Sequence, residues 1–118
     1  MNYWGPLIKM DMDLEKCIKA CIECMEACNK CYDACLKEAD VEMLAECIRS
    51  LRECADICAI AAKSMQSDRA YTNQICQVCA YICETCGDIC KKYDHHEHCK
   101  KCAESCYKCA ETCQKMIA

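Results

Sequence analysis

The residues with the clearest chemical potential in this chain are its cysteines, which make up nineteen of the 118 residues. Most of them form three runs in which neighbours are three or four residues apart: Cys17, Cys21, Cys24, Cys28, Cys31 and Cys35; Cys76, Cys79, Cys83, Cys86 and Cys90; and Cys99, Cys102, Cys106, Cys109 and Cys113. This spacing places all the thiols of one run on a single face of an α-helix. A helix bundle normally carries Leu, Ile or Val on that face, so the sequence predicts a core made of sulfur.

Cysteine pairs four residues apart recur throughout these runs, for example Cys17 with Cys21 and Cys109 with Cys113. Side chains at this spacing have Cβ atoms about 5–6 Å apart on one helix face. Two sulfurs can therefore converge on one small ion in a nearly linear arrangement. Two-coordinate thiolate binding suits monovalent copper, and soft thiolate and thioether ligands favour Cu(I).

Charge balance also favours Cu(I) as the ion that these thiols bind. A buried, unpaired thiolate is costly, and one Cu(I) per thiolate cancels its charge. Tetrahedral zinc with four thiolates keeps a charge of −2 and needs separate four-ligand pockets, which a continuous face of thiols does not provide. Without metal, the thiols are neutral at pH 7 and behave as small apolar groups. The sequence therefore predicts a bundle that folds empty and binds several Cu(I) ions per chain.

Other uses of the cysteines remain open at this point. The recurring Cys-x-x-Cys pairs would suit a thiol-redox buffer, although no βαβ pattern accompanies them. A zinc or mixed-metal sink is a further alternative. Iron–sulfur sites usually show a Cys-x₂-Cys-x₂-Cys run or a Cys-Pro end, and neither occurs here. Cysteine as ordinary core filler does not explain so many thiols in register.

The elements that position the thiols are predicted to be four helices, in an all-α, antiparallel up-down-up-down four-helix bundle. Few helix breakers are present, because the chain has two glycines and one proline. The periodicity predicts one domain over 1–118, with a tail at 1–7 and helices at about 8–38, 40–66, 69–92 and 94–117. The short links between them favour antiparallel neighbours.

In each helix we call the residues at the core-facing a and d positions the seam. The second helix has the fewest seam thiols, Cys47, Cys54 and Cys58, and looks like the structural member. Asp40 is the predicted N-cap of this helix. Asp94, with Glu97 three residues later, predicts a capping box at the start of the fourth helix. Gly87 lies inside the third helix, where we interpret it as a site of close helix contact.

Antiparallel order predicts which other ligands gather at each end of the sulfur core. One end collects Met10, Met65 and Met116, whose thioethers are soft ligands. The other collects the histidines, with His95 on the seam, His98 beside it and His96 exposed to solvent. We therefore include His95, His98 and the three methionines as candidate metal ligands, and we expect no carboxylate on either seam.

Composition excludes several classes of function. The net charge is −4, and no basic patch with interleaved aromatics indicates nucleic acid as a partner. No apolar run approaches the roughly 20 residues of a membrane span, and no export signal is apparent. Cysteine clusters of this kind are typical of a reducing cytosol. No serine–histidine–acid set, buried carboxylate pair or phosphate loop is evident, so we expect a protein that is not an enzyme.

The alternating Cys-x-x-x-Cys and Cys-x-x-Cys seams resemble those of the bacterial copper storage proteins, over residues 10–116. The resemblance is to the cytosolic branch, since histidines join the cysteines. It implies a four-helix bundle that binds many Cu(I) ions through cysteine thiolates, forms a homotetramer, and stores or detoxifies copper in the cytoplasm. Expected partners are copper ions, further copies of the chain, and a copper chaperone or small-molecule thiol.

The second helix departs from the family pattern. Leu44, Leu51 and Ala61 occupy seam positions there. This departure favours ion positions that lie closer to the other three helices.

Overall fold

The computed structural model describes residues 4–67 and 70–117, with side chains described from residue 12 onward. These residues form four α-helices: α1 (Trp4–Leu36), α2 (Ala45–Gln66), α3 (Thr72–Lys91) and α4 (Glu97–Met116). A short 3₁₀ helix, Val41–Leu44, lies between α1 and α2. No strand occurs in the described part of the chain, and the all-α prediction is confirmed.

The four helices form an antiparallel ring in which each helix packs against two others. The packed pairs are α1 with α2, α2 with α3, α3 with α4, and α4 with α1. Cys17 in the middle part of α1 approaches Cys113 at the end of α4, and Cys35 at the end of α1 approaches Cys99 at the start of α4. The result is a rod of 57 × 20 × 18 Å. Within the described residues, no helix combines the length and apolarity that a bilayer crossing requires.

The N-terminal boundaries of all four helices differ from those predicted. Helix α1 begins at Trp4, so the predicted tail is wrong for residues 4–7, while residues 1–3 lie outside the described residues. Pro6 fits there because the first turn of a helix does not need its backbone N–H. Helix α2 begins at Ala45 rather than at residue 40. The predicted start of α3 at residue 69 also lies outside the described residues, and α3 begins at Thr72.

Two predicted helix caps are absent because their side chains bond elsewhere or lie outside a helix. Asp40 makes no side-chain cap hydrogen bond, and its carboxylate contacts His96 instead. Helix α4 begins at Glu97, with His96 at the N-cap position and no side-chain cap. Asp94 therefore does not form the predicted capping box, and the heptad register of α4 does not extend back to His95.

Small residues beside the seams allow the helices to pack closely. Alanines such as Ala55, Ala80 and Ala110 are buried beside the thiols, and isoleucines such as Ile82 pack against the core from its edge. At Gly87, a Cβ atom would lie 2.8 Å from Cε1 of Tyr107, so a side chain at this position would force the Tyr107 ring on α4 to move. The interpretation of Gly87 as a site of close helix contact is thus confirmed.

Candidate metal centre

The nineteen thiols share one interior. Each of them is at most 1% exposed, and all are free rather than joined in disulfides. The only buried polar or charged residue in the described part of the chain is Ser64. The interior therefore contains sulfur, alanine, two leucines and a methionine, with no side-chain cation to pair a thiolate.

The thiols of α1 and α4 form a ladder along the axis of the bundle. Their Sγ atoms approach one another at regular intervals: Cys17 to Cys113 at 3.5 Å, Cys21 to Cys109 at 3.6 Å, Cys24 to Cys106 at 3.8 Å, Cys28 to Cys102 at 3.7 Å, and Cys31 to Cys99 at 3.9 Å. These short steps follow from the a/d spacing on two antiparallel helices. A soft ion bound at one step has a further thiol within reach at the next.

The thiols of α2 complete the other side of this interior. Cys54 Sγ and Cys58 Sγ both lie 3.6 Å from Cys83 Sγ on α3. Cys54 Sγ is also 3.9 Å from Cys24 Sγ on α1, and Cys58 Sγ is 3.9 Å from Cys109 Sγ on α4. The sulfur network is therefore four-sided in its middle. The thiol positions do not favour the other three helices over α2 in this region, which corrects the expectation drawn from its seam.

Leu44, which directly precedes α2, and Leu51 and Ala61 on the α2 seam are fully buried. Leu44 and Leu51 flank Cys47, which lies 3.7 Å, sulfur to sulfur, from Cys90 on α3. Thiols are therefore sparse on this seam around the start of α2, and Ala61 takes the seam position that follows Cys58.

Several groups of four side chains have one potential ligand atom each within 4.8 Å of the others. They are Cys21, Cys79, Cys109 and Cys113; Cys24, Cys58, Cys83 and Cys109; Cys24, Cys28, Cys54 and Cys106; and Cys31, Cys35, His98 and Cys99. Cys24 and Cys109 each belong to two groups. Because neighbouring groups share thiols, the arrangement suits bridging thiolates and many monovalent ions better than separate four-thiolate zinc pockets.

Burial disfavours the thiolate form of Cys35 when no metal is bound. At the C-terminal end of α1, burial raises the pKa of the Cys35 thiol, and the nearby Cys47 thiol adds to the increase. The buried charged form is disfavoured because no cation lies beside it. A cation that binds here must therefore displace thiol protons and supply the compensating charge itself.

His98 is the predicted non-cysteine ligand that the structure brings to the thiols. Its Nδ1 atom lies 3.4 Å from Cys31 Sγ, 3.5 Å from Cys99 Sγ and 3.9 Å from Cys35 Sγ. Its Nε2 atom lies 2.7 Å from Oε2 of Glu38. An Nε2–H that donates to Glu38 leaves the Nδ1 lone pair directed at the thiols. A carboxylate that orients a ligating histidine in this way is a common feature of metal sites.

The other two histidines, His95 and His96, lie between α3 and α4 and contact the acidic link that joins α1 to α2. His95 is exposed, and its Nε2 atom is 3.4 Å from Oδ2 of Asp40. The prediction that His95 lies on the seam is wrong, because α4 begins only at Glu97. His96, predicted to face solvent, has a side chain only 16% exposed and lies 2.9 Å from Oδ1 of Asp40.

The predicted methionine ligands lie at the opposite end from the histidines. Met65 is buried, at 4% exposed, in the last turn of α2, and Met116 packs half-buried against the core. The side chain of Met10 lies outside the described residues. Met65 and Met116 thus close one end of the interior with apolar atoms as well as potential sulfur ligands.

Two functional candidates, Glu38 and Asp40, were missed by the sequence analysis. Glu38 was placed at the end of the first helix, and Asp40 was taken as an N-cap. The sequence did contain a signal for them. Glu38 and Asp40 lie near the end of one predicted helix, and the histidine cluster lies near the start of another that antiparallel order brings to the same end of the bundle. Only the antiparallel packing of α1 and α4 brings Glu38 to His98 and Asp40 to His96.

Comparisons with known proteins agree with this geometry. The family model described as copper storage protein matches residues 10–118. A cysteine-rich protein of Bacillus subtilis (strain 168), called YhjQ and otherwise uncharacterised, is 52% identical over 94 residues, which are 80% of this chain and 86% of that protein.

Two solved structures share the fold. The Cu(I)-bound copper storage protein BsCsp3, of Bacillus subtilis, is 53% identical with a TM-score of 0.86, covering 90% of this chain and 99% of the other. A cytosolic copper storage protein from Streptomyces lividans, with five coppers, is 38% identical with a TM-score of 0.88, covering 92% of this chain and 94% of the other.

Proposed function

This chain belongs to the copper storage protein family, and from that premise we propose that it stores several Cu(I) ions per chain, in the cytosol, along the thiols of one four-helix domain. The observation that carries the proposal is the continuous network of free thiols, each at most 1% exposed. Sequestration needs buried soft ligands without a reacting centre, so we propose storage without catalytic turnover.

Each Cu(I) ion would bind by replacing thiol protons. Two neighbouring thiols lose their protons to solvent and form two copper–sulfur bonds. Since ligand groups share Cys24 and Cys109, further ions would bind to thiolates that already bridge, which brings the charge toward one Cu(I) per thiolate. The proposed ligands are the nineteen cysteines together with His98 through Nδ1. His95 is not included, because it contacts Asp40 instead.

We further propose that copper enters at the histidine end of the bundle. The side chain of His98 is 24% exposed and still reaches three thiols, so it can accept an ion from a donor in solution and pass it inward by ligand exchange. The expected donor is a copper chaperone or a small-molecule thiol. From Cys31 and Cys99, the α1–α4 ladder offers successive thiols along the whole axis.

Self-association into a homotetramer is also proposed. The outer face of α2 and α3 carries exposed apolar side chains, with Ile60 at 49%, Val78 at 48% and Tyr81 at 75% exposed. Burial of such a face between copies is favourable. Light scattering of the purified chain, with and without copper, measures the assembly; a monomer at micromolar concentration would contradict this part of the proposal.

Anaerobic titration with Cu(I) against a strong competing chelator tests the storage function. We expect saturation at a ratio on the order of one Cu(I) per thiol, with helix content unchanged. The variant Cys54→Ser/Cys58→Ser should saturate at a lower ratio, because both thiols lie in the four-sided middle of the network. The exposed Met43→Ala variant is the control and should match the wild-type ratio. Saturation at one or two ions would contradict storage, and rapid oxidation of most thiols to disulfides with weak Cu(I) binding would favour the redox alternative.

A further inference from the structure

A second cluster of possible ligands lies outside the thiol network, at the histidine end. It consists of Glu38, Asp40, His95, His96 and His98. Oε2 of Glu38 lies 2.7 Å from Nε2 of His98 and 3.1 Å from Nδ1 of His96. Oδ1 of Asp40 lies 2.9 Å from Nε2 of His96. The cluster therefore joins the link after α1 to the residues that begin α4.

The charge of this cluster suits a cation. Glu38 and Asp40 bring two negative charges, and within residues 12–67 and 70–117 the ion-pair partners found for them are histidines alone. Imidazoles in their neutral form do not cancel those charges, and a dication that binds here would take the place of the second ring proton of His96, whose two nitrogens each face a carboxylate. The side chains of both acids are 31% exposed, and those of His96 and His98 are 16% and 24% exposed. The site is thus partly shielded from solvent but open enough for an ion to enter.

The donor atoms also have the right separation. Glu38, His96 and His98 each offer one ligand atom, and these three atoms lie within 4.8 Å of one another. Zinc takes nitrogen and carboxylate oxygen ligands at about 2.0–2.2 Å, so an ion between these atoms needs only small side-chain movements. Asp40 contacts Nε2, the other ring nitrogen of His96. A hydrogen bond from Nε2–H to Asp40 would hold the ring in the tautomer that presents Nδ1 to the ion.

We propose that Glu38, His96 and His98 form a binding site for one divalent transition-metal ion of the Zn²⁺ type, with Asp40 as the positioning residue of His96. Imidazole and carboxylate are ligands for borderline divalent ions, whereas Cu(I) selects the thiols. The site is chemically separate from the copper store and does not require it. It does share His98, because a neutral imidazole has one lone pair and cannot bind a dication at Nε2 and Cu(I) at Nδ1 together.

Cobalt(II) titration of the copper-free, reduced protein tests this site, because Co²⁺ reports its ligands by colour. We expect one tightly bound equivalent with the ligand-field absorption of nitrogen and oxygen coordination, and without a thiolate-to-cobalt charge-transfer band. The His96→Ala variant should lose this equivalent, and Asp40→Asn should weaken it by about 10-fold or more. The matched control His95→Ala should keep it, because His95 lies outside the ligand set.

Two readouts keep the result free of folding effects and separate from the storage proposal. Circular dichroism should show wild-type helix content in every variant, and His96→Ala should keep the wild-type Cu(I) ratio. The divalent site is overturned if Co²⁺ binds with thiolate charge-transfer bands alone, or if His96→Ala and Asp40→Asn bind it as the wild type does. In that case the cluster is a set of hydrogen bonds between histidines and acids, and the Cu(I) titration stands unaffected.

Discussion

The two ends of the bundle close the same sulfur core in different ways. At the histidine end, His98 touches Cys31 and Cys99 on its inner side and Glu38 on its outer side. At the methionine end, Met65 is buried and Met116 packs against the core. One end therefore offers ligands that are continuous from solvent to the thiols, and the other is covered largely by apolar atoms.

This difference separates two tasks within one chain. A closed, apolar end contributes to the stability of the metal-free bundle, since its buried methylenes are removed from water. A polar, partly exposed end adds little stability because its ion pairs are solvated, but it can exchange ions with a donor. The comparison predicts that substitutions at one end change stability and those at the other change copper transfer.

The largest effect is expected from Met65→Ala at the methionine end. Removing this buried side chain should lower the free energy of unfolding of the reduced, metal-free protein by about 2–5 kcal/mol. Met43→Ala, at the opposite end and 72% exposed, should change it by no more than about 0.5 kcal/mol. Chemical denaturation followed by circular dichroism measures both. Equal losses in the two variants would remove the proposed difference in stability.

A smaller effect is expected from His98→Ala on copper uptake. Loss of the ligand that links solvent to Cys31 and Cys99 should slow the first phase of Cu(I) transfer from a chelator by about 10-fold. Met65→Leu, which keeps the volume and removes the thioether, should leave that rate unchanged. Stopped-flow absorbance of the chelator gives the rates. If Met65→Leu slows uptake and His98→Ala does not, the entrance lies at the methionine end.

The smallest effect concerns pH and is confined to the histidine end. The hydrogen bond that His96 donates to the Asp40 carboxylate raises the pKa of His96 above its ordinary 6.5, and the same contact holds the pKa of Asp40 below 3.8. The contribution of His96 to the stability of the fold is therefore fully present below about pH 6.5. It is lost as the pH rises through the higher pKa that His96 has in the folded state. The contribution of Asp40 to stability is present above about pH 3.8. It is lost as the pH falls through the lower pKa that Asp40 has in the folded state.

The difference in Tm between wild type and His96→Ala, measured without metal, should thus be largest near pH 5 and shrink by about pH 8. It should be small throughout because both side chains are partly exposed, so that solvent screens their interaction. The control variant Met65→Leu changes no titratable group. Its difference in Tm from wild type should therefore stay constant between about pH 5 and pH 8. A constant difference for His96→Ala would show that the Asp40 contact does not contribute to stability in solution.

Much of the fold follows from local pattern. The three- and four-residue spacing from Cys17 to Cys35 already determines a helix with one sulfur face, because side chains at that spacing lie on one side of a helix. The scarcity of breakers and the short links then favour an antiparallel bundle. Burial of all the thiols, the close contact at Gly87 and the grouping of methionines opposite histidines follow from the same periodicity. The helix starts were predicted less well, since the Asp40 carboxylate contacts His96 instead of capping α2, and α4 begins three residues after Asp94.

Tertiary packing decided how the histidines are used. Spacing alone placed His95 on the seam and His98 beside it, but α4 begins only at Glu97, and it is His98 that reaches the thiols. The contacts of Glu38 with His98 and of Asp40 with His96 join residues about sixty positions apart, and no local pattern encodes such contacts. The sequence by itself determined that this chain encloses sulfur, because helical periodicity is a local property. The ligands that surround the opening depend on which helix ends meet, and that is settled only when the four helices pack together.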